Sequence, residues 1–290
     1  MIFLNAEIFI ACIVLYNAGM GKMCKRFVAV VFVALVFLAV FLHGKQPSND
    51  RAWSPDQDVL PTVKIEKENI TIKNIRNFTY RSTTEYTPGY YDRTILLDEV
   101  QTVWFMMEPF DTAGAAHTLV SFGLSDGTYI AISVEIRKEK GESFSPLKGL
   151  FREYELVYVI ADERDVIGFR ANYRHDDVYL YPVVVTSEQA QAFFLSMVTR
   201  AQALQEKPEF YNTITNTCTT NIVDHVNEIS PGRIPWSFKI ILPASSDEFA
   251  YDLGLFGTTT SFADMRERYH INERAREYAD AVDFSKRIRE

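Results

Sequence analysis

Thiols are scarce in this chain: only Cys12, Cys24 and Cys218 stand among its 290 residues. Cys12 and Cys24 lie in or before an N-terminal apolar segment, so the remainder carries one cysteine and no disulfide framework can be built there. Also missing are Cys/His pairs at zinc-finger or HExxH spacing, a GxSxG elbow and a phosphate-cradling loop. Metal, serine-hydrolase and nucleotide chemistry have no motif to rest on, and no cofactor is expected. Positive charge is short as well. With 30 Lys and Arg against 38 Asp and Glu, the net charge of -8 repels the phosphates of nucleic acid, which is excluded as an expected partner.

What the chain does have is one apolar run free of charge, Phe27 to Leu42, preceded immediately by Lys22, Lys25 and Arg26. A basic flank before an apolar run is the asymmetry of a signal anchor with its N-terminus inside. At 1.5 Å per residue the run is slightly short for a hydrocarbon core of about 30 Å, so a cleaved signal peptide competes with this reading. His43-Gly44-Lys45-Gln46-Pro47 offers no small-x-small cleavage pattern, which favours the anchor. Cys24 precedes the run, where a lipoprotein cysteine would follow it. Residues 1–20, broken by Asn5, Glu7 and Asn17, are either a first span or an extension upstream of a start at Met20 or Met23. The expected organisation is therefore an N-terminal extension and basic flank at 1–26, a transmembrane anchor at 27–42, a linker at 43–60 and an exported domain at 61–290.

Within the exported part, Val63, Ile65, Ile70, Ile72 and Ile75 alternate as in short strands. Strands are expected at 102–107, 117–124, 128–137, 154–160, 166–171 and 178–185. A helix is expected from Ser187 to Gln205, because Thr186 and Gln189 are spaced as a capping box before the stripe Ala190, Phe193, Phe194, Met197, Ala201, Leu204. A second helix is expected to open near Cys218, where Ile222, Val226 and Ile229 repeat at helical spacing before Ser230-Pro231-Gly232. Residues 261–290 read as a solvated helical closure. The fold class is α+β, a mainly antiparallel sheet with packed helices.

Ser125-Asp126-Gly127 reads as a three-residue hairpin loop, because only that register makes one face apolar: Phe122 opposite Ile130, Val120 opposite Ile132, Thr118 opposite Val134. On the other face the same register sets His117 opposite Glu135. Directly opposed residues have Cβ atoms roughly 4.5 to 5.5 Å apart, close enough for a carboxylate to orient an imidazole. Cys218 at a helix start would sit where unsatisfied N–H groups favour a thiolate and can bind an oxyanion. Cys218 as nucleophile, His117 as base and Glu135 as orienter make a candidate catalytic set. The competing reading is a buried structural cysteine. His225, two turns after Cys218, is a rival base, but two helical turns separate side chains by about 10 Å. His175 falls in an expected turn, and His43 and His270 look peripheral.

The blocks AHTLVSFGLSDGTYIAISVEIRKEKGESFSPLKGL, YELVYVIADERDVIGFRAN, VYLYPV, PEFYNTITNTCTTNIVDHVN, PGRIPWSFKIILP and AYDLGL resemble the Lnb N-terminal periplasmic domain family, over roughly residues 50 to 285. That resemblance implies a permuted papain-like (NlpC/P60-like) thiol enzyme of the bacterial cell envelope, in which His117 and Cys218 match the family's His and Cys positions. It implies an acyltransferase anchored in the inner membrane and facing the periplasm. Its partners would be a phospholipid acyl donor and, as acceptor, the amine of a lipoprotein's N-terminal cysteine. Where family members often read Asn-Asn-Cys, this chain has Asn216-Thr217-Cys218, and Thr217 is expected to cap the helix. The name also implies that some members continue into a further membrane part, whereas no C-terminal spans follow here. The same site with water or a peptide amide as acceptor would make a cysteine hydrolase or amidase. A non-catalytic envelope scaffold or chaperone is the alternative from a different class.

Overall fold

The computed structural model describes residues 21–110 and 114–290, with the side chains of 35–43 outside that description. The readings of residues 1–20 as a span or an extension fall outside the described residues. The chain divides into two units, Met1–Pro47 and Ser48–Glu290. In the first, Lys22–Gly44 form helix α1. Among the described residues no helix is long and apolar enough to cross a membrane. The second half of the anchor expected at 27–42 lies outside the described side chains.

The second unit is built on strands β1 (Thr62–Glu66), β2 (Asn69–Arg76), β5 (Tyr90–Leu96), β6 (Val100–Pro109), β7 (Ala116–Leu124), β8 (Tyr129–Arg137), β9 (Glu155–Ala161) and β10 (Tyr179–Val183), with a small separate hairpin of β3 (Thr79–Tyr80) and β4 (Tyr86–Thr87). The order across the main sheet is β1-β2-β9-β8-β7-β6-β10, and β5 also pairs with β2. The pairings are antiparallel except for a parallel contact between Arg76 of β2 and Ala161 of β9. The expected α+β class with a mainly antiparallel sheet is what the chain forms.

The β7–β8 hairpin has the register that its apolar pattern dictates. Val120 lies opposite Ile132, Phe122 opposite Ile130 and Gly123 opposite Tyr129. The Thr128 carbonyl accepts from the Leu124 N–H at 2.9 Å, and Gly127 closes the loop at φ 81°, a conformation that favours glycine. Ala116, Val120, Phe122 and Leu124 join Ile130, Ile132 and Val134 in the larger apolar cluster, while Leu119 and Ala131 join a second cluster across the sheet. Both faces of β7 are thus covered.

Beyond the short helix α2 (Pro146–Leu150), helix α3 (Ser187–Glu206) covers the first face. It opens on the expected Thr186–Gln189 capping box and buries Ala190, Phe193, Phe194, Met197, Ala201 and Leu204. Phe122 meets Phe193 and Phe194 edge-on, with ring centroids 5.4 and 5.2 Å apart. Helix α4 (Cys218–Ile229) packs beside α3 on the same cluster through Cys218 and Ile222.

Three expectations require correction. Residues 166–171, read as a strand, belong to a π-helical segment, Arg164–Arg174. Short apolar runs do not distinguish strand from helix by periodicity. Here the wide turn aligns Val166 with Ala171 against the second cluster and lets Arg170 and Asp165 reach buried ionic partners. The linker expected at 43–60 is not free along its length, because the folded unit starts at Ser48. Trp53 is 3% exposed with the Arg137 guanidinium 4.1 Å from its ring, and Asn49 donates to the Leu204 carbonyl. After helix α6 (Ser246–Asp252), the closing segment is not one solvated helix but three short ones, α7 (Phe262–Arg268), α8 (Asn272–Glu277) and α9 (Phe284–Arg287). Its Ile271, Ala275, Phe284 and Ile288 are buried in the second cluster, under Leu119 and Ala131.

Because Phe122 has no exposure and packs against two aromatic rings, Phe122→Ala should cost about 3–5 kcal/mol. The check is a shift of the urea midpoint of the full chain, at an unchanged slope.

Candidate functional site

The loop before α4 is folded on its own asparagines. Asn212 and Asn216 exchange backbone hydrogen bonds, and the Asn212 carboxamide oxygen accepts from the N–H groups of Ile214 and Thr215. Thr217 then caps the helix as expected: its hydroxyl accepts from the Thr220 N–H at 3.2 Å, and its own N–H donates to the Thr220 hydroxyl at 2.7 Å. Threonine stands where a Glu or Gln would complete the usual reciprocal pair. Cys218 is the first residue of α4 and is 7% exposed. Its Sγ lies 3.7 Å from the Thr219 hydroxyl, which is 3.0 Å from the hydroxyl of Thr118 on β7. That threonine pair docks the first turn of α4 on the apolar face of the strand.

Beside this turn lies an apolar cleft. Thr219, Ile222 and Val226 of α4 form one wall, Phe105 and Val120 the sheet side, and Ile234, Ile240, Phe249 and Phe256 the rest. An almost wholly apolar lining suits a hydrocarbon group rather than a polar substrate.

His117 belongs to a different environment. Its Nε2 is 2.7 Å from the Ser133 hydroxyl, which donates to Glu135 Oε1 at 2.8 Å, while His117 Nε2 and Glu135 Oε1 are 3.8 Å apart. Glu135 also takes Arg170 Nη2 at 3.0 Å, and Arg170 Nε reaches Glu108 at 2.8 Å. Despite the cost of burial, the Arg170 guanidinium holds the Glu135 carboxyl well below the usual carboxylate range. An ionised Glu135 can only accept, so Ser133 gives it the hydroxyl proton and itself accepts from His117 Nε2–H. With Nε2 carrying the proton, a neutral His117 has its lone pair on Nδ1. Burial, aided by Arg170, pushes its pKa down to about 3 despite Glu135 nearby.

Of the expected set, the structure brings His117 and Glu135 together, with Ser133 between them, and it starts a helix at Cys218. It does not bring His117 to Cys218. Side chains alternate along β7: His117, Leu119 and Ser121 project to the face of Ser133 and Glu135, whereas Thr118, Val120 and Phe122 project to the face covered by α4. The imidazole and the thiol are on opposite sides of the strand, and a base with a pKa near 3 is poorly matched to neutral pH. The rival, His225, is held elsewhere, with Nε2 2.8 Å from the Tyr158 hydroxyl and Nδ1 2.7 Å from the Ser196 hydroxyl. Sequence reasoning missed Ser133, Arg170 and Glu108. Ser133 was already placed on the His117 face by the hairpin register, but Arg170 was hidden in the misread strand. Among the described residues no group of His, Cys, Asp and Glu could hold a metal ion.

Burial lowers the pKa of His225 too, to about 4. For both histidines the unfolded chain binds more protons than the native one below the unperturbed pKa of about 6.5, so stability rises with pH in that window. Acidification from about pH 6.5 towards 4 should cost up to about 1.4 kcal/mol per pH unit for each histidine. Urea titrations of His117→Gln and His225→Gln between these pH values should each show a flatter pH dependence than the parent.

The profile of the Lnb N-terminal periplasmic domain matches residues 86–244, a span that holds the β7–β8 hairpin, α3, α4, His117, Glu135 and Cys218, while Phe249 and Phe256 of the cleft lie beyond it. No curated protein matches the chain, and no solved structure matches it. A match over more than half of the chain, on a sheet with His117 and Cys218 at the positions described, means that this chain belongs to the Lnb N-terminal periplasmic domain family and carries its periplasm-facing domain.

Proposed function

We propose that this protein is an envelope acyltransferase, anchored through residues 27–42 in the inner membrane, in which Cys218 carries a fatty acyl group whose chain lies in the apolar cleft. The observation that carries this reading is the adjacency of the two: the residue after Cys218 and the next turns of α4 form one wall of the cleft. In the first half-reaction Sγ bonds to the ester carbonyl carbon of a phospholipid, the ester C–O bond breaks, and the leaving alcohol takes the thiol proton. In the second, an amine attacks the thioester carbonyl, the C–S bond breaks, and sulfur regains a proton from the amine. The N–H groups at the start of α4 would face the oxyanion of each step. The acceptor fitting the family is the N-terminal amine of a lipoprotein.

In this proposal the His117–Ser133–Glu135 cluster is a positioning element. It fixes the start of β7 from behind, and β7 is the surface on which the first turn of α4 docks through Thr118 and Thr219. The separation of His117 from Cys218 favours one second reading, a non-catalytic envelope protein that holds lipid in the same cleft. Intact-mass analysis of detergent-extracted chain decides between them. Transfer predicts a hydroxylamine-labile fatty acyl adduct that disappears in Cys218→Ser. The lipid-holding reading predicts co-purified lipid with no covalent adduct in either chain.

A further inference from the structure

The segment Arg233–Leu242 reads Arg-Ile-Pro-Trp-Ser-Phe-Lys-Ile-Ile-Leu, with two basic residues and no acidic one, in a chain whose net charge is -8. It contains the four-residue helix α5 (Phe238–Ile241) and divides its apolar residues between two directions. Ile234 and Ile240 are buried and line the apolar cleft. Trp236, Phe238 and Leu242 point outward with exposures of 70%, 68% and 55%. The outward three form one patch. The rings of Trp236 and Phe238 are 4.7 Å apart, and the Leu242 N–H donates to the Phe238 carbonyl at 2.8 Å, which stacks residues 238 and 242 on one helical face.

An exposed cluster of Trp, Phe and Leu needs an occupant. Three observations select a phospholipid leaflet over a protein. Tryptophan and phenylalanine at the tip of a short helix match the preference of such rings for the boundary between headgroups and acyl chains. Arg233, whose guanidinium meets the Leu253 carbonyl rather than a carboxylate, brings positive charge beside that tip for anionic headgroups, whereas Lys239 is paired with Glu248 at 2.9 Å. Ile234 and Ile240 continue the patch inward into the cleft, giving a hydrocarbon chain an apolar path from the leaflet, which a protein partner would not need.

We propose that Ile234–Leu242 is a membrane-docking loop: Trp236, Phe238 and Leu242 enter the outer leaflet of the membrane that holds the chain, and the apolar cleft opens to that leaflet between them. This holds whether or not Cys218 forms a thioester, so a failure of the transfer reading leaves it standing.

The test uses the full chain reconstituted into phosphatidylcholine and phosphatidylglycerol vesicles whose lipids carry bromine on the acyl chains. Trp53 is 3% exposed and Trp104 is stacked under Arg289, so Trp236 is the tryptophan placed to meet the bromines. The expected result is quenching of an emission component that Trp236→Phe removes while circular dichroism is unchanged. The pair Phe238→Ser and Leu242→Ser, made together, should reduce that quenching at least twofold and expose Trp236 to aqueous iodide. Equal quenching in the parent and Trp236→Phe would overturn the proposal. So would a Trp236 quenched by iodide and not by bromine, which puts the loop in water, or one shielded from both, which puts it against protein.

Discussion

Strand β7 is covered on both faces, one almost wholly apolar and the other mixing apolar packing with buried polar groups. Towards α3 and α4 it presents Val120 and Phe122, both in the apolar core, with Val120 also on the sheet side of the cleft. Towards the π-helical segment it presents His117, Leu119 and Ser121, where Ser121 donates to Glu163 and His117 meets Ser133. A buried strand has no solvent face on which to discard an ill-fitting side chain, so both alternating sets must find complementary partners. The apolar set is covered by amphipathic helices. The polar set is met by buried ionic groups such as Arg170 with Glu108 and Glu135, and Arg289 with Glu163. Buried charges need such pairing, and breaking one member is generally more damaging than a surface loss of the same size.

This division governs how the site works. The thiol, the cleft and the membrane-docking loop lie on the apolar side of the sheet or open from it, where an acyl chain can be held away from water. The imidazole and the carboxylate lie behind the strand, linked through Ser133 and held by Arg170. A chemistry that needed the imidazole at the thiol would require the strand to turn over. One in which the strand is a platform, held from behind and docked from the front through Thr118 and Thr219, requires nothing to move.

Much of this was legible in the sequence. The hairpin register followed from the apolar pattern of 117–135, the α3 start from Thr186 and Gln189, and the α4 start from Thr217 and the repeat after Cys218. The neighbourhood of His117 and Glu135 was legible too, but not the Ser133 that links them. Their separation from Cys218 could also have been drawn. The register that puts His117 on one face puts the apolar set on the other, and the apolar stripe of α4, which includes Cys218, has to cover the apolar set. What could not be read was the partner layer behind β7. Val166 to Ala171 has too few residues for its period to decide between strand and helix, and the burial of Asp165 and Arg170 depends on Arg76, Glu108 and Glu135, all distant in sequence. The Tyr90–Leu96 strand and the small β3–β4 hairpin were missed as well, for lack of a clean alternation.

The claim on which the account turns is that β7 separates the thiol from the imidazole. The direct measurement is the pH dependence of Cys218 alkylation by a small haloacetamide, read on the Cys218 peptide by mass spectrometry in the full chain and in His117→Gln. Two profiles with the same midpoint and rates within about twofold are expected, because a positioning group on the far face does not share a proton with Sγ. A midpoint that moves in His117→Gln, or a rate at neutral pH that falls tenfold or more with the fold intact, would contradict it and restore His117 as the base.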